Sequence, residues 1–322
     1  MAGYLLRRLL QSVVVLFSVS LISFVIFQYL GDPIRTNYNP QELTRQRVVQ
    51  LRRELGLDQP FYLQYAHWLE RALHGDFGLS YRQRLPVMQL ILERAPATLE
   101  LATLALFSGT LLGLLLGIWS ALHPRSLSAK SAIVTSLLGI STPTFVVGLL
   151  LILLFSVSWH WLPPFGRGTT VSLGAWRSGL FTLSGWQHLI MPVITLGLFQ
   201  VGVMARLTRS GMLEVLAQDY VRTAWAKGLS STQVVGKHAL RNVLIPVITV
   251  LGMSYGELIA FSIVTESIFQ WPGLGNLLLH AVFSSDQPIV VAYIVLTSLL
   301  ILSLNLVVDL LYVALNPRIR YG

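Results

Sequence analysis

The stretches of this chain that carry no Asp, Glu, Lys or Arg limit what it can fold into more than any other feature. They cover residues 9–31, 101–124, 131–166, 178–205 and 287–308, and a further one, 242–270, is interrupted only by Glu257 and Glu266. A helix rises 1.5 Å per residue, so about 20 apolar residues cross the roughly 30 Å of hydrocarbon in a bilayer. Six spans are expected, at 9–30, 98–122, 132–157, 186–206, 243–267 and 288–313. The run 131–166 is too long for one crossing and includes an exit loop through Trp161-Leu162-Pro163-Pro164. Only 11% of the residues are charged and 54% are hydrophobic. A soluble domain needs about 25% charged residues. The chain therefore reads as an all-α polytopic membrane protein.

Other classes fall away on composition. The net charge of +9 suggests nucleic acid, but the basic residues lie between the apolar runs rather than in one patch interleaved with aromatics. That is where a membrane protein places them. With no cysteine, a disulfide framework, a thiolate nucleophile or a Cys-based metal site is excluded. The first apolar run follows Arg7-Arg8, yet it is longer than the 7–15 residues of a signal peptide and ends in Gln28-Tyr29-Leu30-Gly31-Asp32-Pro33. It reads as an uncleaved anchor.

Six spans put both termini on one side of the membrane. That side holds Arg7, Arg8, Arg125, Lys130, Arg206, Arg209, Arg222, Lys227, Lys237, Arg241, Arg318 and Arg320, whereas the short loops opposite hold Arg167 and Arg177. Segment 31–97 carries the other basic residues, and a loop beyond about 60 residues translocates largely regardless of charge. Both termini are therefore expected in the cytoplasm. Three parts follow: an anchor helix at 1–30, an extracytoplasmic segment at 31–97, and a five-helix core at 98–322 with a cytoplasmic loop at 207–241. In the outer segment Phe61, Tyr65, Trp68, Leu69 and Leu73 recur at helical spacing, which predicts an amphipathic helix. It rests on the membrane surface, on its own subunit or against a partner. Gly109, Gly113 and Gly117 repeat every fourth residue, a pattern that lets helices approach closely in lipid. Pro143, Pro192 and Pro246 lie in or beside spans, where freed carbonyls require protein or a watery cavity.

The loop 207–241 is too polar for a span and too patterned for a linker. Two short helices are expected there, broken near Gly228-Leu229-Ser230, since Gly ends a helix and Ser caps the next. It contains Arg222-Thr223-Ala224-Trp225-Ala226-Lys227-Gly228-Leu229 and His238-Ala239-Leu240-Arg241-Asn242. On these strings the chain resembles the permeases of binding-protein-dependent ATP-binding-cassette importers. The resemblance is to the B-type subunit of the dipeptide, oligopeptide and nickel family. Leu55-Gly56-Leu57-Asp58-Gln59-Pro60, Gly75-Asp76-Phe77-Gly78, Trp271-Pro272-Gly273-Leu274-Gly275 and the tail Asn316-Pro317-Arg318-Ile319-Arg320-Tyr321 extend it over almost the whole chain. Trp225 departs from the pattern, because many relatives carry Arg there.

The resemblance implies a type I importer permease fold that pairs with a homologous second permease. Two cytoplasmic ATPases and an extracytoplasmic solute-binding protein complete the system. The helix near 219–229 docks into an ATPase groove, which assigns coupling to Asp219, Tyr220, Arg222, Thr223, Ala224, Lys227, Gly228, His238, Leu240 and Arg241. Small Ala224 and Gly228 are expected to permit close approach, and Arg222 and Lys227 to orient docking. The sequence has no phosphate-binding Gly-x-x-x-x-Gly-Lys-Ser/Thr loop. It is thus expected to hold no cofactor of its own, with ATP and Mg bound by the partner ATPases. Its cargo is expected to be di- or oligopeptides, with nickel or a metal chelate and glutathione as alternatives. A secondary transporter driven by an ion gradient is the rival class, but no internal repeat supports it.

Several smaller signals carry less. Gly252-Met253-Ser254-Tyr255-Gly256 matches a nucleophile-elbow pattern but sits inside a span, without the strand-turn-helix that chemistry requires. His67 and His74 are seven apart on the outer helix, where a surface role suffices. A carboxylate at the bilayer centre costs on the order of 2.5–3.5 kcal/mol and normally faces a bundle interior or a watery cavity. Glu257, with Ser254, is therefore the candidate for the translocation pathway, with a structural hydrogen bond to a neighbouring helix as the alternative for Glu257. Glu266 is expected to anchor the loop at Trp271, and Asp309 to serve a helix end.

Overall fold

A computed structural model describes residues 2–30, 34, 44–54 and 56–315. Leu55 and the tail motif at 316–321, including Arg318 and Arg320, lie outside the described residues. The elements in chain order are α1 (Ala2–Leu30), α2 (Arg45–Glu54), α3 (Phe61–Leu73), α4 (Val87–Leu122), α5 (Leu127–Ser141) and α6 (Thr144–Leu151). A wide π-helical stretch, Ile152–Ser158, prolongs α6. Strands β1 (Val171–Leu173) and β2 (Trp176–Ser178), helix α7 (Leu183–Leu216) and helix α8 (Asp219–Ala226) follow. The chain then runs through α9 (Arg241–Ile268), α10 (Leu274–Phe283) and α11 (Gln287–Leu315).

Among the described residues five helices are long and apolar enough to cross a membrane, and α5 with α6 makes a sixth crossing if taken as one broken span. The third span was expected to be a single helix over 132–157. It is bent by 108° between Ser141 and Thr144. Pro143 explains the break: its ring has no N–H to donate and disfavours helical geometry in the residue before it. Pro192 and Pro246, by contrast, are carried inside α7 and α9. The helices also outrun the expected spans. Helix α4 has 36 residues, about 54 Å of rise, so it stands well clear of the hydrocarbon. Charge marks where lipid ends, not where a helix ends.

The core seam runs between α4 and α7, which lie parallel. A Cβ on Gly109 would meet the Gly197 carbonyl at 2.7 Å, one on Gly113 the Val201 carbonyl at 2.8 Å, and one on Gly117 the Ala205 carbonyl at 2.8 Å. The backbones thus touch over two helical turns, as the four-residue repeat predicts for close association in lipid. Helix α3 packs on its own subunit. Tyr65 and Trp68 are buried against Phe24 of α1, Phe77 and the first turns of α11. The Tyr65 and Ser20 hydroxyls share a hydrogen bond of 2.7 Å. Leu73, expected on this stripe, is 79% exposed. At 100° per residue Ala72 takes its place, and Ala72 packs there.

Candidate functional site

The loop 207–241 forms a compact elbow. Helix α7 continues beyond Arg206 and Arg209 to Leu216, and α8 begins at Asp219. Gly228 ends that arm with φ +78°, a left-handed conformation open to glycine at no steric cost. Ser230 then caps the following turn, its hydroxyl accepting from the Gln233 N–H while the Gln233 side chain accepts from the Ser230 N–H. A wide turn at Val234–Leu240 leads directly into α9. Two helical arms broken at 228–230 were expected, and they are present; the second is continuous with the fifth span.

The elbow has an inner and an outer side. Val221, Ala224 and Val234 are buried together, packed on Val215, Leu216 and Leu229. Ala224 therefore does not offer the close approach to a partner expected of it, because its methyl group locks α8 to α7 and to the root of α9. Asp219, Tyr220, Arg222, Thr223, Lys227 and Gly228 are exposed, as are Trp225 and Arg241, while His238 and Leu240 are half-buried. Nothing lies within 4 Å of a Cβ built on Gly228, so it presents bare backbone to solvent. Asn242 Nδ2 donates to the Tyr220 hydroxyl at 2.8 Å and to the His238 carbonyl at 3.0 Å, stapling α8 to the first turn of α9.

Helix α9 separates its two carboxylates. Glu257 is exposed on one face with Met253 and Phe261. Ser254, paired with it as a pathway candidate, is buried inside the subunit. The glycines around it serve packing: a Cβ on Gly256 would meet Ile301 of α11 at 3.2 Å. The Gly-x-Ser-x-Gly string is thus continuous helix with no elbow. Glu266 is fully buried; it accepts from Thr98 Oγ1 at 2.6 Å, Ser262 Oγ at 3.2 Å and the Asn276 N–H at 2.9 Å. Thr98 Oγ1 in turn accepts from the Leu274 N–H, and the Trp271 indole donates to the Ala97 carbonyl. One carboxylate thereby joins α4, α9 and α10 at the outer end.

Two further anchors had no sequence signal. Arg167, in the loop after α6, lies 2.7 Å from the buried carboxylate of Glu100 and donates to the Arg177 carbonyl. Glu100 also accepts from the Trp176 indole at 3.1 Å, which holds the β1–β2 hairpin against α4. Asp286 accepts from Ser80 Oγ and from the N–H groups of Tyr81 and Arg82, so it ties the outer segment to the start of α11. These partners are 67 and about 205 residues apart, and no local pattern could pair them. At the other end, Arg8 of α1 meets Asp309 of α11 at 3.1 Å, partly in solvent. Among the described residues no group of three His, Cys, Asp or Glu is arranged to hold a metal ion.

Residues 113–321 match the family described as binding-protein-dependent transport system inner membrane component, and residues 1–102 match its N-terminal part. The glutathione transport system permease protein GsiC of Escherichia coli (strain K12) is 42% identical over 322 residues, covering all of both chains. The protein of that name from Salmonella choleraesuis (strain SC-B67) is 41% identical over the same length. Among solved structures, the inward-facing MetNI methionine ABC transporter superposes with a TM-score of 0.57 at 16% identity, over 71% of this chain and 97% of that one. At that identity the likeness speaks for the permease fold alone.

Proposed function

This chain belongs to the family of binding-protein-dependent transport system inner membrane components, and we propose that it forms one half of the import path for glutathione or a similarly small peptide. A homologous second permease supplies the other half, two cytoplasmic ATPases drive the cycle, and an extracytoplasmic binding protein delivers the solute. The full-length relationship to glutathione permeases supports the cargo. The excess of Lys and Arg in the loops between spans supports cytoplasmic termini.

The observation that carries the mechanism is the two-sided elbow. Its outer ridge, with Asp219, Tyr220, Arg222, Thr223, Lys227 and Gly228 in solvent, is the part a partner can grip. Charges on such a rim orient the encounter more than they add affinity. Its inner side is hard-packed on the foot of α7 and the root of α9. A force on the ridge therefore moves both spans as one piece. Glu257, exposed on α9 at a depth where an isolated carboxylate is costly, faces the path between the two permeases and offers a partner to a cationic group on the solute.

Gly228 gives the test. A Gly228→Ala variant adds only backbone strain at φ +78°, whereas Gly228→Trp adds bulk on the open side. In the reconstituted complex, Gly228→Trp should abolish solute uptake while ATP hydrolysis either persists uncoupled or the ATPase is lost, and Gly228→Ala should keep part of the uptake. Full uptake by Gly228→Trp would count against gripping at this ridge. Glutathione should compete with labelled substrate better than a nickel chelate does.

A further inference from the structure

Trp159, Trp161, Trp176 and Trp186 are half of the chain's tryptophans, and they fall within one stretch, the loop after the bent arm and the first turn of α7. Each is at least 40% exposed, and Phe165, Leu173, Phe181 and Leu183 are exposed among them. A loop bathed in water would carry about a quarter of its residues as charges. Over 159–186 there are two, Arg167 and Arg177, and Arg167 is sealed against Glu100. This surface is therefore poorly suited to water.

Its depth follows from helix rise. Trp186 is 20 residues above Arg206 on α7, about 30 Å, so with Arg206 at the inner edge of the hydrocarbon Trp186 reaches the outer edge. Trp176 is held by Glu100, 22 residues above Leu122 on α4, about 33 Å. Two independent helices thus place the loop at the outer headgroup level. Trp159 and Trp161 lie 4.5 Å apart at the end of the arm and pack on Phe155. That arm shows Leu149, Leu153 and Val157 to the outside, so the apolar surface of the spans continues without a break into the aromatic loop. Indoles prefer this boundary, with an apolar body and a polar tip.

We propose that loop 159–186 is a rigid membrane anchor whose indole and phenyl faces rest in the outer leaflet among phospholipid headgroups. The Arg167–Glu100 pair and the hairpin hold it at fixed height on α4, so it sets the depth of the outer ends of α4 and α7. The chain's lack of cysteine makes the test direct. Single cysteines at Leu173, Phe181 and, as an aqueous reference in the outer turn, Gln83 are spin-labelled in the full complex, with cysteine-free partners, in phosphatidylcholine–phosphatidylglycerol vesicles. All three positions are exposed, so a label leaves the packing intact. The ratio of collision with oxygen to collision with a water-soluble nickel chelate should be several-fold higher at Leu173 and Phe181 than at Gln83. A ratio equal to that at Gln83 would overturn the proposal by placing the loop in water. Shielding from both reagents would also overturn it, assigning the surface to a protein partner. Uptake by the labelled complexes, measured in parallel, keeps this outcome separate from the coupling mechanism.

Discussion

At the end expected to face outward the bundle is held by carboxylates sealed from water: Glu266, Glu100 and Asp286, each surrounded by donors from distant parts of the chain. At its inner end the links are Arg8 with Asp309, partly in solvent, and Tyr220 with Asn242, exposed beside the small apolar cluster of the elbow. The contrast separates two ways of joining helices. A buried carboxylate fixes its neighbours because any displacement strands donors without water to receive them. An exposed pair constrains little, since water replaces either partner. The end with the buried carboxylates is built to keep its geometry, and the elbow end is the one that the proposed coupling hands to a partner.

The largest effect should come from the seam that joins the two ends. Gly113→Leu would force side-chain atoms into the Met204 Cβ and the Val201 carbonyl, and no membrane-inserted, folded protein should be recovered by size-exclusion chromatography. Next is Arg167→Ala, which leaves the Glu100 carboxylate buried without its cation. A loss of about 3–5 kcal/mol is expected in thermal unfolding of the detergent-solubilised protein. Glu266→Gln sets an amide N–H₂ against one of the donors that now point at the carboxylate, and should cost about 1–3 kcal/mol in the same measurement. Arg8→Ala should cost roughly 0.2–1 kcal/mol, and less at high salt. If Arg8→Ala destabilised as much as Arg167→Ala, the distinction between the ends would be lost.

The sequence revealed most where one residue suffices as a signal. The charge-free runs marked the long apolar helices, Gly228 with Ser230 marked the elbow's bend, and the glycine repeat marked the seam. It revealed least where a role depends on a partner far along the chain. Glu100 and Arg167 looked like any boundary carboxylate and loop arginine, and only folding shows them facing each other. Glu257 and Glu266, nine residues apart on one helix, were alike as charges, yet the first is exposed and the second sealed. The helical wheel alone does not say which side the rest of the bundle covers. Ala224 misled for the same reason: its small size suited contact with either a partner or its own subunit, and the apolar cluster took it.

The glycine seam has a mechanical consequence. Because α4 and α7 touch backbone to backbone over two turns, they behave as one plank rather than two rods. Under the proposed coupling, a tilt imparted at the foot of α7 would be resisted by this joint and carried toward the rim about 30 Å away. The rim would then swing like the far end of a rocker, with the glycine-lined joint as its stiff spine.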